Sequence, residues 1–208
     1  ADQWDEDGAL PDELWPKAAA VGILGLGYPE EFGGVSEGID IWHKNILNEE
    51  MARIAVGGLS ATLMVHGIGL PPVLKFASEA IKQEVAPPVL AGTKRISLAI
   101  TEPDAGSDVA NLTTTARLDG DHYVVNGSKT YITGGMNANW FTTAVRTGGE
   151  GAGGVSALLI PADLAGVSRT ALDKKQGWWC SDTATIYFDN VRVPAANLVG
   201  QENRGFSV

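Results

Sequence analysis

One cysteine, Cys180, stands in 208 residues, so no internal disulfide can form, which fits a reducing compartment. No His or Asn is placed by a motif to activate that thiol, and Cys180 reads as a small buried filler rather than a nucleophile. Bases are also scarce. Fifteen Lys and Arg face twenty-five Asp and Glu, for a formal net charge of -10, and the fifteen are scattered. Neutralising a phosphate backbone takes clustered Lys and Arg, so a nucleic-acid partner is excluded. No apolar run approaches the roughly 18 residues of a membrane span, and no cleavable signal opens the chain. These absences lead us to expect a soluble, intracellular protein. Hydrophobic residues make up 44%, ordinary for a globular chain.

Up to residue 93 the pattern is helical. Leu14, Trp15, Ala18, Val21 and Leu24 recur at spacings of three and four until Gly25, Gly27 and Pro29 stop the helix. Ile39, Trp42, His43, Ile46, Leu47, Glu50 and Ile54 outline a mainly apolar face of a second helix. Leu59, Leu63, Val65 and Ile68 predict a shorter one ending near Gly67 and Gly69, and a last helix runs from Glu79 to Leu90, weakened by Pro87 and Pro88. The six acids between Asp2 and Glu13 read as a solvated, frayed start. Gly25-Leu-Gly27 fails as a dinucleotide fingerprint, because it follows a helix, meets Pro29 and lacks the third glycine.

After Lys94 strands take over. Asp119-Gly120 and Asn126-Gly127 are hairpin dipeptides, which predicts a three-strand meander. Trp140–Arg146, Val155–Pro161 and Thr183–Asn190 add strands, separated by the glycine loop 148–154 and a lysine-rich turn at Lys174. No helix pattern follows the glycine loop, so it reads as a flexible hairpin connection rather than a phosphate cradle. The expected fold is α+β: a helical layer over 1–93, then an antiparallel β-barrel or orthogonal sandwich over 94–208.

The densest chemistry lies at Leu98-Ala-Ile-Thr-Glu-Pro-Asp-Ala-Gly-Ser-Asp108. An alternating strand, Ile96, Leu98, Ile100, meets Pro103, which removes a backbone donor and ends it. Ala105 and Gly106 permit close main-chain approach, and Thr101 and Ser107 offer hydroxyls, equipment suited to a flat heteroaromatic ring and a phosphate. The same residues also make an ordinary strand, Pro turn and Asp-capped loop.

The run Ala99–Asp108 resembles the first signature of the acyl-CoA dehydrogenase family. Val125-Asn-Gly-Ser-Lys-Thr-Tyr-Ile-Thr-Gly-Gly135 resembles its second flavin-contacting segment. Gly177-Trp-Trp-Cys-Ser-Asp-Thr183 with Asp189-Asn-Val-Arg-Val-Pro194 resembles a third block, and Val21–Gly34 the family's early helix end and turn. Asn111, Tyr131 (commonly Trp) and Trp179 (often Arg or His) depart from the pattern, and no family contact is carried onto Trp179.

The resemblance implies FAD as cofactor and α,β-dehydrogenation of an acyl-CoA thioester, as in fatty acid metabolism. Electrons would pass to an electron-transfer flavoprotein, within a homotetramer in the cytoplasm or, in a eukaryote, the mitochondrial matrix. It implies that Leu98, Ile100, Thr101, Gly106, Ser107, Tyr131, Ile132 and Thr133 contact the cofactor. Ser107 can also touch the CoA thioester arm, or merely cap its turn. Ser60–Ile68 would wall the acyl chain, with Met64 either at that pocket or in the core. Arg95, Arg117, Lys129 and Arg146 are candidates for a patch that meets CoA phosphates, or else solvated strand ends. Glu49, Glu50 and Glu102 read as helix-face or turn carboxylates, so no catalytic base is assigned. The resemblance therefore implies a fragment, or one partner of an assembly, without the family's first helix and its C-terminal bundle. Acyl-CoA oxidases and flavin monooxygenases share the scaffold, and a non-catalytic assembly piece is a third reading.

Overall fold

The computed structural model describes residues 2–208. Helices come first: α1 (Asp2–Asp7), α2 (Leu14–Ala20), α3 (Ile41–Arg53), α4 (Gly57–Leu63), α5 (His66–Phe76) and α6 (Glu79–Leu90). Strands follow: β1 (Ile96–Ala99), β2 (Thr115–Asp119), β3 (His122–Thr133), β4 (Trp140–Arg146), β5 (Val155–Pro161), β6 (Val167–Ala171), β7 (Thr183–Pro194) and β8 (Leu198–Val199). They form one eight-stranded sheet in the order β6-β7-β3-β2-β4-β5-β8, with β1 beside β4. The α+β expectation holds. The sheet is mixed rather than wholly antiparallel, because β1 runs parallel to β4, with Ile96 opposite Trp140, and β2 meets β4 in one parallel bridge.

Two cores share the central strands. Successive side chains of a strand point to opposite faces. Ala157 and Leu159 of β5 therefore pack with Leu70, Val73, Val85 and Val89 under α5 and α6, while Leu158 and Ile160 join Phe141, Ile186 and Val193 on the other face. That double burial explains why β5 is an almost unbroken apolar run. A third cluster joins Leu10, Trp15, Leu24, Met51, Leu59 and Leu63 to Cys180.

The helical pattern needs three corrections. The helix predicted from Leu59 to Ile68 ends at Leu63 as α4, and Gly67 and Gly69 lie inside the next helix, α5, which runs through Pro71 and Pro72. Gly69 is there for packing: a Cβ on it would stand 3.2 Å from the Ser97 carbonyl carbon of β1. Its carbonyl accepts a buried 2.7 Å hydrogen bond from Thr142 Oγ1, so Gly69 marks a close helix–sheet contact and not a helix end. Second, the apolar face of α3 is largely open, with Trp42 68% and Ile46 58% exposed, and Met51 is the buried residue of that helix. Asp40 still starts α3 as expected of an N-cap, accepting from the Trp42 and His43 N–H groups. Third, the acidic start is docked in part. Asp5 accepts from the Cys180 N–H at 2.8 Å, and Asp12 pairs with Arg95 at 2.5 Å.

Asp119-Gly120 does turn β2 into β3, but Asn126-Gly127 lies inside β3. Opposite it β7 carries an extra residue, Asn190 at φ +51, and Asn126 bonds across to Asn190 through backbone and side chain. Gly127, at φ +142, is needed because a Cβ would lie 2.6 Å from Thr114 Oγ1. Two strands therefore replace the predicted meander of three. The segment Gly57–Phe76 has the length and composition of a membrane span, 20 residues. It is broken between α4 and α5, and half of it is buried inside the protein.

Candidate functional site

The segments with most chemistry in the sequence meet at the end of β1. There the main chain leaves the sheet, and the Thr101 carbonyl accepts from the Thr130 N–H at 2.8 Å. On β3 the register with β7 slips between Lys129 and Ile132. The extra residue lifts Tyr131 out of the ladder at φ +59, leaving it 64% exposed. Bulges and left-handed non-glycine residues of this kind concentrate where a side chain must be re-aimed at a site. The third block is adjacent: Thr133 pairs with Thr183, and Asp182 accepts from the Gly134 N–H through its carbonyl and from the Met136 N–H through its carboxylate, each at 2.9 Å.

A buried ion pair joins the first two segments from behind. Lys129 Nζ donates to Glu102 Oε1 at 2.7 Å and to the Ile100 carbonyl at 3.0 Å, with side-chain exposures of 0% for Lys129 and 3% for Glu102. Glu102 also accepts from the N–H groups of Thr113 and Thr114 and from the Thr113 hydroxyl. Burial works against the carboxylate, but the hydrogen bonds from Lys129, Thr114 and Thr113 outweigh it and hold Glu102 down to about 2. Lys129 is thus no solvated strand end and no contact for CoA phosphates.

The other basic candidates form no patch either. Arg146 spends its guanidinium on the carbonyls of Ala110, Leu112, Gly149 and Gly151, stapling the loop after the first signature to the glycine loop. Arg95 lies 3.7 Å over the Trp15 ring, and Arg117 is exposed. Cys180 is buried, and burial with Asp5 beside it pushes the thiol up to about 11, as befits a filler.

The residues expected at the cofactor divide by what they leave free. Among the described residues, the hydroxyls of Thr101, Ser107 and Thr133 make no hydrogen bond, whereas those of Thr113, Thr114, Thr130, Thr142 and Thr143 do. The Thr101 N–H, two residues past the last ladder position of β1, likewise has no acceptor among the described residues. Tyr131 offers an aromatic face. Leu98 and Ile100 are half-buried beside them, while Ile132 is turned into the sheet core and has only its main chain to offer. Gly106 and Ser107 stand exposed beyond a tight turn closed by reciprocal Glu102 and Ala105 hydrogen bonds. Free donors, hydroxyls and one exposed ring on a rigid sheet end suit the polar edge and face of a heteroaromatic cofactor.

Met64 and Ile68 line a groove of about 790 Å³ together with Leu26, Tyr28, Leu47 and Pro71. Buried His66, unremarked in the sequence, ties this wall to the turn after α2 by facing the Leu24 carbonyl at 2.9 Å. Burial pushes its pKa down, against the pull of the Leu24 and Leu63 carbonyls beside its ring nitrogens.

Helices followed by a sheet whose end presents unspent donors from two segments define an α+β protein with a candidate cofactor site. Residues 1–93 match the N-terminal domain of acyl-CoA dehydrogenases and residues 97–191 the middle domain, so the chain belongs to the acyl-CoA dehydrogenase family. The acyl-CoA dehydrogenase apdG of Emericella nidulans is 38% identical over 99% of this chain and 51% of its own length. A probable acyl-CoA dehydrogenase from Mycobacterium abscessus superposes with a TM-score of 0.94 at 48% identity, covering 99% of this chain and 55% of that one. An FAD-complexed acyl-CoA dehydrogenase from Bacillus anthracis gives 0.86 at 37%, covering 94% and 34%. The chain spans about half the length of the relatives it matches.

Proposed function

We propose that this chain supplies the flavin-binding face and one acyl wall for FAD-dependent α,β-dehydrogenation of an acyl-CoA thioester. The carrying observation is the set of unspent groups at one sheet end: the Thr101 N–H and the hydroxyls of Thr101, Thr133 and Ser107. When bound, FAD supplies hydride acceptance. Donors at its polar edge stabilise the negative charge it then carries, so they tune as well as hold it. Ser107, free and exposed past its turn, is the residue available to both phosphate and thioester arm. The groove beside Met64 and Ile68 is the proposed acyl wall.

On the family relationship, proton removal falls to a carboxylate elsewhere in the assembled protein. Glu102 is locked to Lys129, Glu50 pairs with Arg53, and Glu49 is exposed on α3, which is otherwise open at that face. Relatives twice as long as this chain support that reading. An electron-transfer flavoprotein as electron acceptor, a homotetramer and a cytoplasmic or matrix location are proposed on the family relationship. The division into a helical part over 1–93 and a sheet part over 94–208 is supported by the separate family matches.

The test is anaerobic: acyl-CoAs of varied chain are added to the FAD-loaded assembled protein, base included, and the flavin absorbance is followed. Bleaching is expected. A flavin that binds but never bleaches would leave only a binding role, and rapid reoxidation in air would move the assignment to the oxidases.

A further inference from the structure

We propose that Lys129 is a positioning residue that acts on the bound flavin through a single peptide group, the one between Ile100 and Thr101. The inference rests on the FAD reading above and goes beyond it by naming a residue that touches no ligand.

Lys129 Nζ holds the Ile100 carbonyl at 3.0 Å and Glu102 at 2.7 Å inside the protein, with no exposed surface. Every peptide bond here is trans, so the N–H of Thr101 points away from the carbonyl that Lys129 grips. That N–H is the donor left without a protein acceptor at the end of β1. A hydrogen bond accepted at one end of an amide polarises it and strengthens the donor at the other. An ammonium behind the carbonyl does so more than a neutral donor.

The orientation is fixed as well. The Thr101 carbonyl is held by the Thr130 N–H at 2.8 Å, and the Glu102 N–H donates to Ala105 O at 2.9 Å. The peptide on either side of the Thr101 Cα is therefore tied, and the free N–H cannot swing. Glu102 balances the lysine and anchors the 113–114 segment. Mere stability does not call for this arrangement, since a buried ion pair is often replaceable by apolar groups of similar volume. A polarised donor aimed outward accounts for it. Such a donor stabilises negative charge on whatever edge faces Thr101, and so favours reduced over oxidised cofactor.

The test compares the FAD-loaded protein with its Lys129→Met/Glu102→Gln double variant, which removes both charges and leaves none buried alone. Three quantities are read: melting temperature, FAD affinity, and the flavin reduction potential by dye equilibration. We expect the preference for reduced over oxidised flavin to fall roughly tenfold, about 30 mV more negative for a two-electron couple. A folded double variant that binds both redox states equally less well, with its potential unchanged, overturns the proposal, for that is what a purely structural pair would do. Should the double variant not fold, the unaltered protein decides. On saturation with FAD the Thr101 amide proton must move downfield and gain protection from exchange. Bound flavin with that amide unmoved overturns the inference, whereas absence of any bound flavin strikes the cofactor reading instead.

Discussion

Glu102 and Lys129, 27 residues apart, meet at 2.7 Å beneath the end of β1 and there fasten the first family signature to the second. Both charges are out of water, and each has further partners: the Ile100 carbonyl for Lys129, the Thr113 and Thr114 amides for Glu102. Breaking one side is therefore unlike removing both. Lys129→Met should cost about 3–5 kcal/mol by stranding a buried carboxylate, and adding Glu102→Gln should restore much of it. Urea denaturation of the two variants measures the difference. Equal losses would show that Lys129→Met strands no buried charge.

The same pair sets an acid limit. Glu102 is held at about 2, below its ordinary 4.5. A depressed carboxyl contributes stability that is fully present above the unfolded value and is lost as pH falls through the folded one. Melting temperature should therefore drop between about pH 4.5 and 2, and that drop should be shallower in Glu102→Gln.

Thr101→Ala separates binding from folding. Its hydroxyl makes no hydrogen bond within the described residues, so stability should change by less than about 0.5 kcal/mol. FAD binding should weaken by roughly 1 kcal/mol if one neutral hydrogen bond is lost. A fluorescence titration with unchanged affinity removes the Thr101 hydroxyl from the site.

Gly69→Ala tests the seat of α5 on the sheet. The added methyl would meet the Ser97 carbonyl carbon at 3.2 Å and Ile96 at 3.4 Å, a backbone contact that cannot rotate away. A loss of about 1–3 kcal/mol is expected from overpacking, seen as a lower urea midpoint. No loss would mean that α5 is free to shift.

Much of the fold could be read from the chain because its strands are bounded by strong turn residues. Trp140–Arg146 and Val155–Pro161 fall where alternation and the glycine loop put them. What escaped was long-range. Asn126-Gly127 has the chemistry of a hairpin, yet the irregularity it accommodates lies on β7, at Asn190, in a strand more than sixty residues later. That misreading also hid Lys129. Counting by twos from the buried Tyr123 and Val125 along one unbroken strand puts Lys129 on the inner face, where it requires a carboxylate. The apolar spacing of α3 is genuine, but spacing cannot say what covers a face, and Trp42 and Ile46 are left open. The candidate site residues come from family motifs. Their geometry depends on a slipped register at Thr130–Tyr131 that no local pattern encodes.

The central claim, that one sheet end built from three segments receives FAD, is tested most directly by mapping backbone amide shifts of the 208-residue chain during an FAD titration. We expect the largest changes at Thr101, Gly106, Ser107 and Tyr131–Thr133. At saturating FAD, silence at those amides, or shifts gathered instead at the groove lined by Leu47, Met64 and Pro71, would contradict the account.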